Sequence, residues 1–156
     1  DKKRNFKEVD EIELPVFELD ENMGIPESFI PDIEARLQIY QEMSLVYQIS
    51  NLEELKEIYE DRFGELPEPF LNLFKYQQIK ILAYKIGVKN LNLNEKNCLI
   101  KFDFEVFGLT NLIKKLTKYD LKFNGNNIRI FGGINIEELY DFLTRIFELK
   151  SNLITN

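Results

Sequence analysis

Gly87 divides the sequence into two parts that differ in hydrophobic period. Between about residues 31 and 86, apolar residues recur every three or four positions, which is the spacing of amphipathic helices. Beyond Gly87 the chain has short β-prone runs, VKNLNL at 88–93 and CLIKFDF at 98–104. A glycine at this junction suits the positive φ at which helices commonly end. The sequence therefore predicts an α+β fold with a helical N-terminal half.

Three helices are predicted before Gly87. The first spans about residues 31–49, with Ile33, Leu37 and Tyr40 along one apolar stripe. The second begins at a capping box in which Ser50 or Asn51 is followed by Glu53 or Glu54, and it ends near residue 63. The third spans about residues 68–86. The apolar positions of the second and third helices that we expect in the core are Leu55, Ile58, Tyr59, Phe63, Phe70, Leu73, Phe74, Ile81 and Leu82.

The stretch EDRFGELPEP at residues 60–69 separates the second helix from the third. Gly64 is placed where a left-handed helix stop is expected, and Pro67 keeps the helix from resuming. Phe63, just before the glycine, is predicted to belong to the core. We therefore predict a tight helical corner, and Phe63, Gly64, Pro67 and Gly87 are assigned structural roles.

Two β-hairpins, each followed by a helix, are predicted after Gly87. Their turns fall at residues 94–97 and 124–127, the second with an Asn-Gly pair. The two helices are expected at about residues 109–118, with Thr110 as a possible cap, and from an Asn135–Glu138 capping box to near Leu149. The result is a small, mainly antiparallel sheet packed with the helical half.

The first 24 residues are predicted to be a lead-in linker with an edge strand at residues 12–19, because Pro15 cannot donate to a sheet ladder. Residues 25–156 are predicted to form a single α+β domain, a length that suffices for one core. The chain opens with Asp1 rather than methionine, and we interpret it as part of a longer polypeptide.

Several classes of chemistry lack the residues that they need. The chain has no histidine, which removes Ser-His and Cys-His nucleophile pairs and imidazole metal sites. No phosphate-binding glycine loop is present, so no nucleotide cofactor is expected in this chain. The single cysteine, Cys98, favours a reducing compartment, and no apolar run is long enough to span a membrane. We therefore expect a binding protein rather than an enzyme.

Acidic residues concentrate in the segment from residue 52 to residue 68. It holds seven acids against Lys56 and Arg62, a net −5 of the chain's −7. One interpretation is a solvated helix face with a Lys56–Glu60 pair, and the other is a docking face for a basic partner. Arg62 either complements the helix dipole or grips a carboxylate with its planar guanidinium group.

A basic patch offers an alternative function. Lys114, Lys115, Lys118 and Lys122 lie close together in the sequence, and they indicate either a solvated helix face or a nucleic-acid-binding accessory module. The acidic balance of the chain opposes this interpretation, because binding to nucleic acid depends on neutralising phosphates. Direct DNA binding is therefore not expected.

Three stretches together resemble the C-terminal domain of bacterial transcription-repair coupling factors (Mfd): IPDIEARLQIY at 30–40, DRFGELPEP at 61–69 and KIGVKNL at 85–91. The family's partner-facing helix has the pattern Glu-Leu-x-Asp-Arg-Phe-Gly. Asp61, Arg62, Phe63 and Gly64 match its end, whereas Ile58 occupies the position of the leading acid. Glu57 and Glu60 are the neighbouring acids that we expect to substitute for it.

The resemblance implies a regulatory domain of a bacterial cytoplasmic translocase whose ATP and Mg²⁺ belong to other domains of the parent chain. Such a domain is expected to dock on the N-terminal UvrB-like module of the same chain. Docking would mask the surface that recruits UvrA until RNA polymerase stalls. The partner-binding residues carried over are Asp61 and Arg62, with Glu57 or Glu60 as substitutes, and we expect an apolar contact beside Asp61. The isolated chain is expected to be a monomer.

Overall fold

The computed structural model of the chain describes residues 14–15, 17–19 and 21–155. Part of the predicted strand at 12–19 and the residues around Asp1 lie outside this range. The strands are β1 (Phe17–Leu19), β2 (Val88–Leu93), β3 (Asn97–Phe102), β4 (Asp120–Asn124) and β5 (Asn127–Phe131). The helices are α1 (Ile33–Ser44), α2 (Ile49–Phe63), α3 (Glu68–Ile86), α4 (Thr110–Ile113) and α5 (Ile136–Thr155).

The five strands form one sheet in the order β1-β2-β3-β5-β4. The hairpins β2–β3 and β4–β5 are antiparallel, as is the β3–β5 pair that joins them, while β1 pairs with β2 in parallel. The predicted α+β class with a mainly antiparallel sheet is therefore confirmed. Strand β1 is an edge strand as predicted, and its Phe17 packs into the core of the sheet.

Helix α3 is buried on two sides. Ile79, Leu82 and Ile86 belong to the core between the helices and the sheet, which also includes apolar residues of α5 such as Leu139 and Leu143. On its other side α3 contributes Phe70, Phe74 and Ile81 to a second core with α1 and α2. The bounds predicted for this helix are confirmed at both ends.

The second core is built around aromatic rings. The ring centroid of Phe70 lies 5.5 Å from that of Phe74 in a stacked arrangement and 5.9 Å from that of Tyr59. Phe29, in the turn before α1, meets the Phe70 ring edge-on at 6.2 Å. These contacts bury α2 and α3 against each other, since aromatic side chains provide the largest apolar areas.

The apolar stripe predicted for α1 does not face the core. Ile39 and Met43 are the buried residues of this helix, whereas Ile33, Leu37 and Tyr40 are exposed. Both sets have helical spacing, and the contacts with the aromatic core determine which one is buried. The predicted extension of the helix to residue 49 is also wrong, because α1 ends at Ser44 and residues 45–48 form a connection to α2.

The capping box predicted for α2 is absent, whereas the one predicted for α5 is confirmed. Gln48 is the N-cap of α2, without a side-chain cap, and Ser50 and Asn51 lie inside the first turn. Before α5, the Glu138 amide donates to Asn135 Oδ1 at 2.8 Å, and the Asn135 amide donates to Glu138 Oε1 at 3.2 Å. Two of the amides at this helix end are thereby satisfied.

The remaining helix bounds differ from the sequence prediction. The helix expected at 109–118 is only α4, with 3₁₀ turns at Phe107–Leu109 and Lys114–Leu116 on either side. Thr110 is its first residue and not its cap. Helix α5 continues to Thr155, beyond the predicted end near Leu149.

Substitutions of Asn135 and Asn51 test which of these two residues caps a helix. Replacing Asn135 with alanine should lower the free energy of unfolding by about 1 kcal/mol, because it removes the cap of α5. The melting temperature should fall by about 2–4 °C. The matched change Asn51→Ala should leave stability the same or raise it by up to about 0.5 kcal/mol, since alanine has the higher helix propensity. Thermal denaturation of both variants checks this, and an equal loss in the two would contradict the assigned caps.

Candidate docking surface

The four predicted partner-binding residues lie on the last two turns of α2, and all four are exposed. Positions three and four apart are neighbours on a helix surface, so Glu57 adjoins Asp61, and Ile58 adjoins both Asp61 and Arg62. Glu60 is rotated about 200° from Ile58 and lies at the margin of this group. We define the docking face as Glu57, Ile58, Asp61 and Arg62.

Ile58 was predicted to be in the core and is instead exposed, with 54% of its side chain accessible. The buried direction of α2 is set by Leu52 and Tyr59, with Leu55 and Phe63 half-buried beside them. Ile58 is rotated about 100° from Tyr59, which takes it out of the core. The docking face therefore has an apolar residue between its charged groups, and the apolar contact expected beside Asp61 stays a prediction.

Arg62 stacks on its neighbour in sequence. Its guanidinium carbon lies 4.8 Å from the centroid of the Phe63 ring, and the Phe63 ring lies 6.3 Å from that of Phe29. Among the residues described, Arg62 has no ion pair with a carboxylate, and Asp61 and Glu57 have none with a lysine or arginine. The predicted Lys56–Glu60 ion pair is likewise not formed. The charges of the docking face are thus unpaired within the described part of the chain.

The corner after α2 fixes the end of the docking face. Gly64 has φ +90° and ψ −165°, and its amide donates to the Glu60 carbonyl at 2.8 Å. The predicted positive φ is confirmed, although this ψ is not that of a left-handed helix. Pro67 is the N-cap of α3, and Leu66 between the two is buried. Gly87 at the end of α3 is left-handed, and a Cβ there would overlap the Asp103 carboxylate.

Tyr59 supports the docking face from behind. Its side chain is 1% exposed, and its hydroxyl has no hydrogen-bond partner of ordinary geometry. Burial raises the pKa of this phenol, and the nearby Glu42 carboxylate raises it further. The hydroxyl is therefore neutral, and a buried hydroxyl that lacks a hydrogen-bond partner is destabilising.

The predicted basic patch is dispersed. Lys118 pairs with Glu138, with 3.5 Å between Nζ and Oε2, whereas Lys122 lies in β4. Lys114 and Lys122 line a groove beside β4 together with the exposed ring of Phe107. The four lysines therefore do not form one helix face.

Cys98 and the acidic side chains of the described residues do not form a reactive thiol or a metal site. Cys98 is fully buried, and burial raises the pKa of its thiol to about 12, so it packs as a small apolar residue. No group of three or more acidic or cysteine side chains within the described ranges is placed to hold a metal ion. No helix in this part of the chain is both long and apolar enough to cross a membrane.

The chain is thus a small α+β domain in which a charged, exposed face of α2 ends at the Gly64–Pro67 corner. The TRCF domain family model matches residues 19–107, more than half of the chain. The chain belongs to the TRCF domain family.

Relatives with the name transcription-repair-coupling factor support this assignment. The chain is 37% identical to the Escherichia coli protein over 78 residues and 26% identical to the Rickettsia prowazekii protein over 145 residues. These matches cover 50% and 90% of this chain but only 7% and 13% of the two relatives. A relative from Buchnera aphidicola of Acyrthosiphon pisum is 32% identical over 116 residues, or 74% of this chain and 14% of the relative.

A crystal structure of the C-terminal domain of transcription-repair coupling factor has the same fold. The TM-score is 0.76 at 20% sequence identity, and the match covers 89% of this chain and 95% of that one. At this identity the likeness shows the fold alone. The resemblance predicted from the sequence is confirmed by these comparisons.

The buried hydroxyl of Tyr59 is expected to lower the stability of the domain. Tyr59→Phe should raise the free energy of unfolding by up to about 1 kcal/mol, because it removes a buried hydroxyl that lacks a partner. The matched change Tyr119→Phe should lower it, since the Tyr119 hydroxyl donates to Glu138 Oε1 at 2.7 Å. Urea denaturation of both variants measures the difference. A loss of about 1 kcal/mol in Tyr59→Phe would show instead that Tyr59 donates a hydrogen bond, with Glu42 as the nearest acceptor.

Proposed function

We propose that this domain is a non-catalytic latch in a transcription-repair coupling factor. Its docking face binds the N-terminal UvrB-like module of the same parent chain and masks the surface that recruits UvrA. Release at a stalled RNA polymerase then exposes that surface. The observation that carries the proposal is the exposed Ile58 beside the unpaired charges of Asp61 and Arg62, held at a rigid helix end. The ATP-dependent motor, with its Mg²⁺, belongs to the rest of the parent.

The chemistry of the docking face indicates what the partner surface must present. Glu57 and Asp61 require basic groups, and Arg62 requires an acceptor within reach of a guanidinium group that already stacks on Phe63. Ile58 requires an apolar contact between them. A partner surface with this arrangement is selected over other basic surfaces, because a misplaced cation would face Ile58 rather than a carboxylate.

The magnitudes are compatible with a reversible latch. A shift from 99% closed to 99% open requires about 5.5 kcal/mol of differential binding. Exposed ion pairs contribute about 0–1 kcal/mol each, which is insufficient alone. Ile58 is 54% exposed, so its complete burial adds about half of the 1.5–3 kcal/mol typical of a fully exposed isoleucine, or roughly 1 kcal/mol. Attachment to one chain further provides an effective concentration in the millimolar range for short flexible linkers.

Charge reversal at the docking face tests the latch. In a calorimetric titration with the separately expressed UvrB-like module, Asp61→Lys should weaken binding at least tenfold, since it places a cation against a basic surface. Glu148→Lys is the matched control, because Glu148 is an exposed acid on α5 with the same charge change. It should bind within about twofold of the unmodified chain. Equal affinities for Asp61→Lys and the unmodified chain would reject the proposal.

Ile58 tests the apolar contribution separately from charge. Ile58→Ala should weaken binding of the UvrB-like module by about 5- to 30-fold, because it removes most of the apolar area that binding buries. Leu37→Ala is the matched control, since Leu37 is 57% exposed on α1. The heat-capacity change of binding should become less negative in Ile58→Ala alone. A gain of affinity in Ile58→Glu would show that the partner presents a cation at this position and would contradict the apolar contact.

A further inference from the structure

One face of the sheet is open to solvent. Strand residues alternate between two faces, and the apolar set, which includes Leu91, Ile100 and Ile128, is buried against α3 and α5. The alternate set on β2, β3, β4 and β5 faces the other way, and none of its side chains is buried. We call this second set the open sheet face. Within the described residues it is the side of the sheet away from the helical core.

The open sheet face is basic although the chain is acidic. Lys101 in β3, Arg129 in β5 and Lys122 in β4 are its cations, and they lie on three adjacent strands. Acidic residues of the strands are confined to its margins, Glu18 in β1 and Asp120 at the start of β4. The Glu18 carboxylate accepts a hydrogen bond from the Asn92 amide at 2.9 Å. The row that holds Lys122 and Arg129 therefore contains no acid, although Asp120 is opposite Phe131 in the next row.

Two of the cations are placed directly opposite each other. Arg129 pairs with Lys122 in the β4–β5 register, and like charges opposite one another destabilise a sheet. No carboxylate among the described residues forms an ion pair with Lys101, Lys122 or Arg129. The Arg129 guanidinium donates to Asn97 Oδ1 at 3.1 Å, which orients it without neutralising its charge. An anion bound on this face would relieve the repulsion.

The face also has groups suited to unpaired bases. Phe131 is 39% exposed, and the register places it between Asn97 and Asp120, next to the row that contains Arg129. Exposed aromatic rings on a sheet bind bases by stacking, and cations beside them bind the phosphates. Asn92 Oδ1 and Asn97 Nδ2 can serve as an acceptor and a donor for base edges, since Asn92 Nδ2 donates to Glu18 and Asn97 Oδ1 accepts from Arg129. A second pair of a cation and an exposed ring, Lys114 and Phe107, lines the groove beside β4. Phe107 is 62% exposed.

We propose that the open sheet face binds single-stranded nucleic acid. Phosphates contact Lys101, Lys122 and Arg129, and a base stacks on Phe131. The flat arrangement of cations and an exposed ring fits a strand with accessible bases better than a duplex, whose bases are stacked on one another. This interaction is independent of the docking face, which lies on α2 and contains none of these residues.

Fluorescence anisotropy with labelled oligodeoxythymidine and oligouridine of about 12 nucleotides tests the proposal. With about three phosphate contacts, the association constant should fall roughly 100-fold as salt increases tenfold. Lys122→Glu and Lys101→Glu should each weaken binding about tenfold and flatten the salt dependence. Lys122→Glu should not reduce stability, because it replaces a like-charge pair with an opposite one. Lys85→Glu is the matched control on exposed α3 surface and should bind within about twofold.

Phe131→Ala distinguishes base stacking from simple attraction of anions. It should weaken binding about tenfold while leaving the salt dependence unchanged, since stacking does not release counterions. Absence of binding up to millimolar protein at low salt would overturn the proposal. Equal effects of Lys122→Glu and Lys85→Glu would overturn it as well. Equally tight binding of polyglutamate or duplex DNA, insensitive to Phe131→Ala, would show a nonspecific anionic contact and would also contradict it.

Discussion

The structure depends on the burial of α3 between two cores. Its aromatic residues Phe70 and Phe74 pack against α1 and α2, while Ile79, Leu82 and Ile86 pack against the sheet and α5. A helix that is apolar on two sides is stable only when both sides are covered. The helical and sheet halves are therefore joined through one element. The position of α2, and with it the docking face, follows from the contacts that Tyr59 makes with Phe70 and Phe74.

The two candidate surfaces lie in different parts of this arrangement. The docking face belongs to α2, which packs on the side of α3 that faces away from the sheet. The open sheet face lies beyond the core that α3 and α5 form with the strands. The docking face and the open sheet face thus lie on different elements and have no residue in common.

The sequence predicts best those features that depend on local chemistry. The bounds of α3 follow from Pro67 and Gly87, and the hairpin turns and the Asn135–Glu138 box also require only nearby residues. It fails where two faces of one helix have similar apolar spacing. Ile33 and Ile58 both fit a helical stripe and are both exposed, because the aromatic core covers Ile39 and Tyr59 instead. Only the tertiary contacts decide between such alternatives.

The docking face was likewise predictable only where it depends on local chemistry. The exposure of Asp61 and Arg62 follows from charge, whereas the stacking of Arg62 on Phe63 and the exposure of Ile58 depend on how α2 is rotated against α3. The basic sheet face was predictable only in part: Lys122 and Arg129 are seven residues apart across one hairpin, whereas Lys101 joins them through the pairing of β3 with β5. The signal that would have found them is the register of the predicted hairpins, which places Lys122 opposite Arg129.

The affinity of the full-length parent for UvrA shows whether the docking face closes the proposed latch. The parent with Asp61→Lys should bind UvrA as tightly as a parent that lacks these 156 residues. If the latch is 99% closed, that is about 100-fold tighter than the unmodified parent. The parent with Glu148→Lys should bind UvrA as weakly as the unmodified parent does. Equal UvrA affinity of the unmodified, Asp61→Lys and truncated parents would contradict the account.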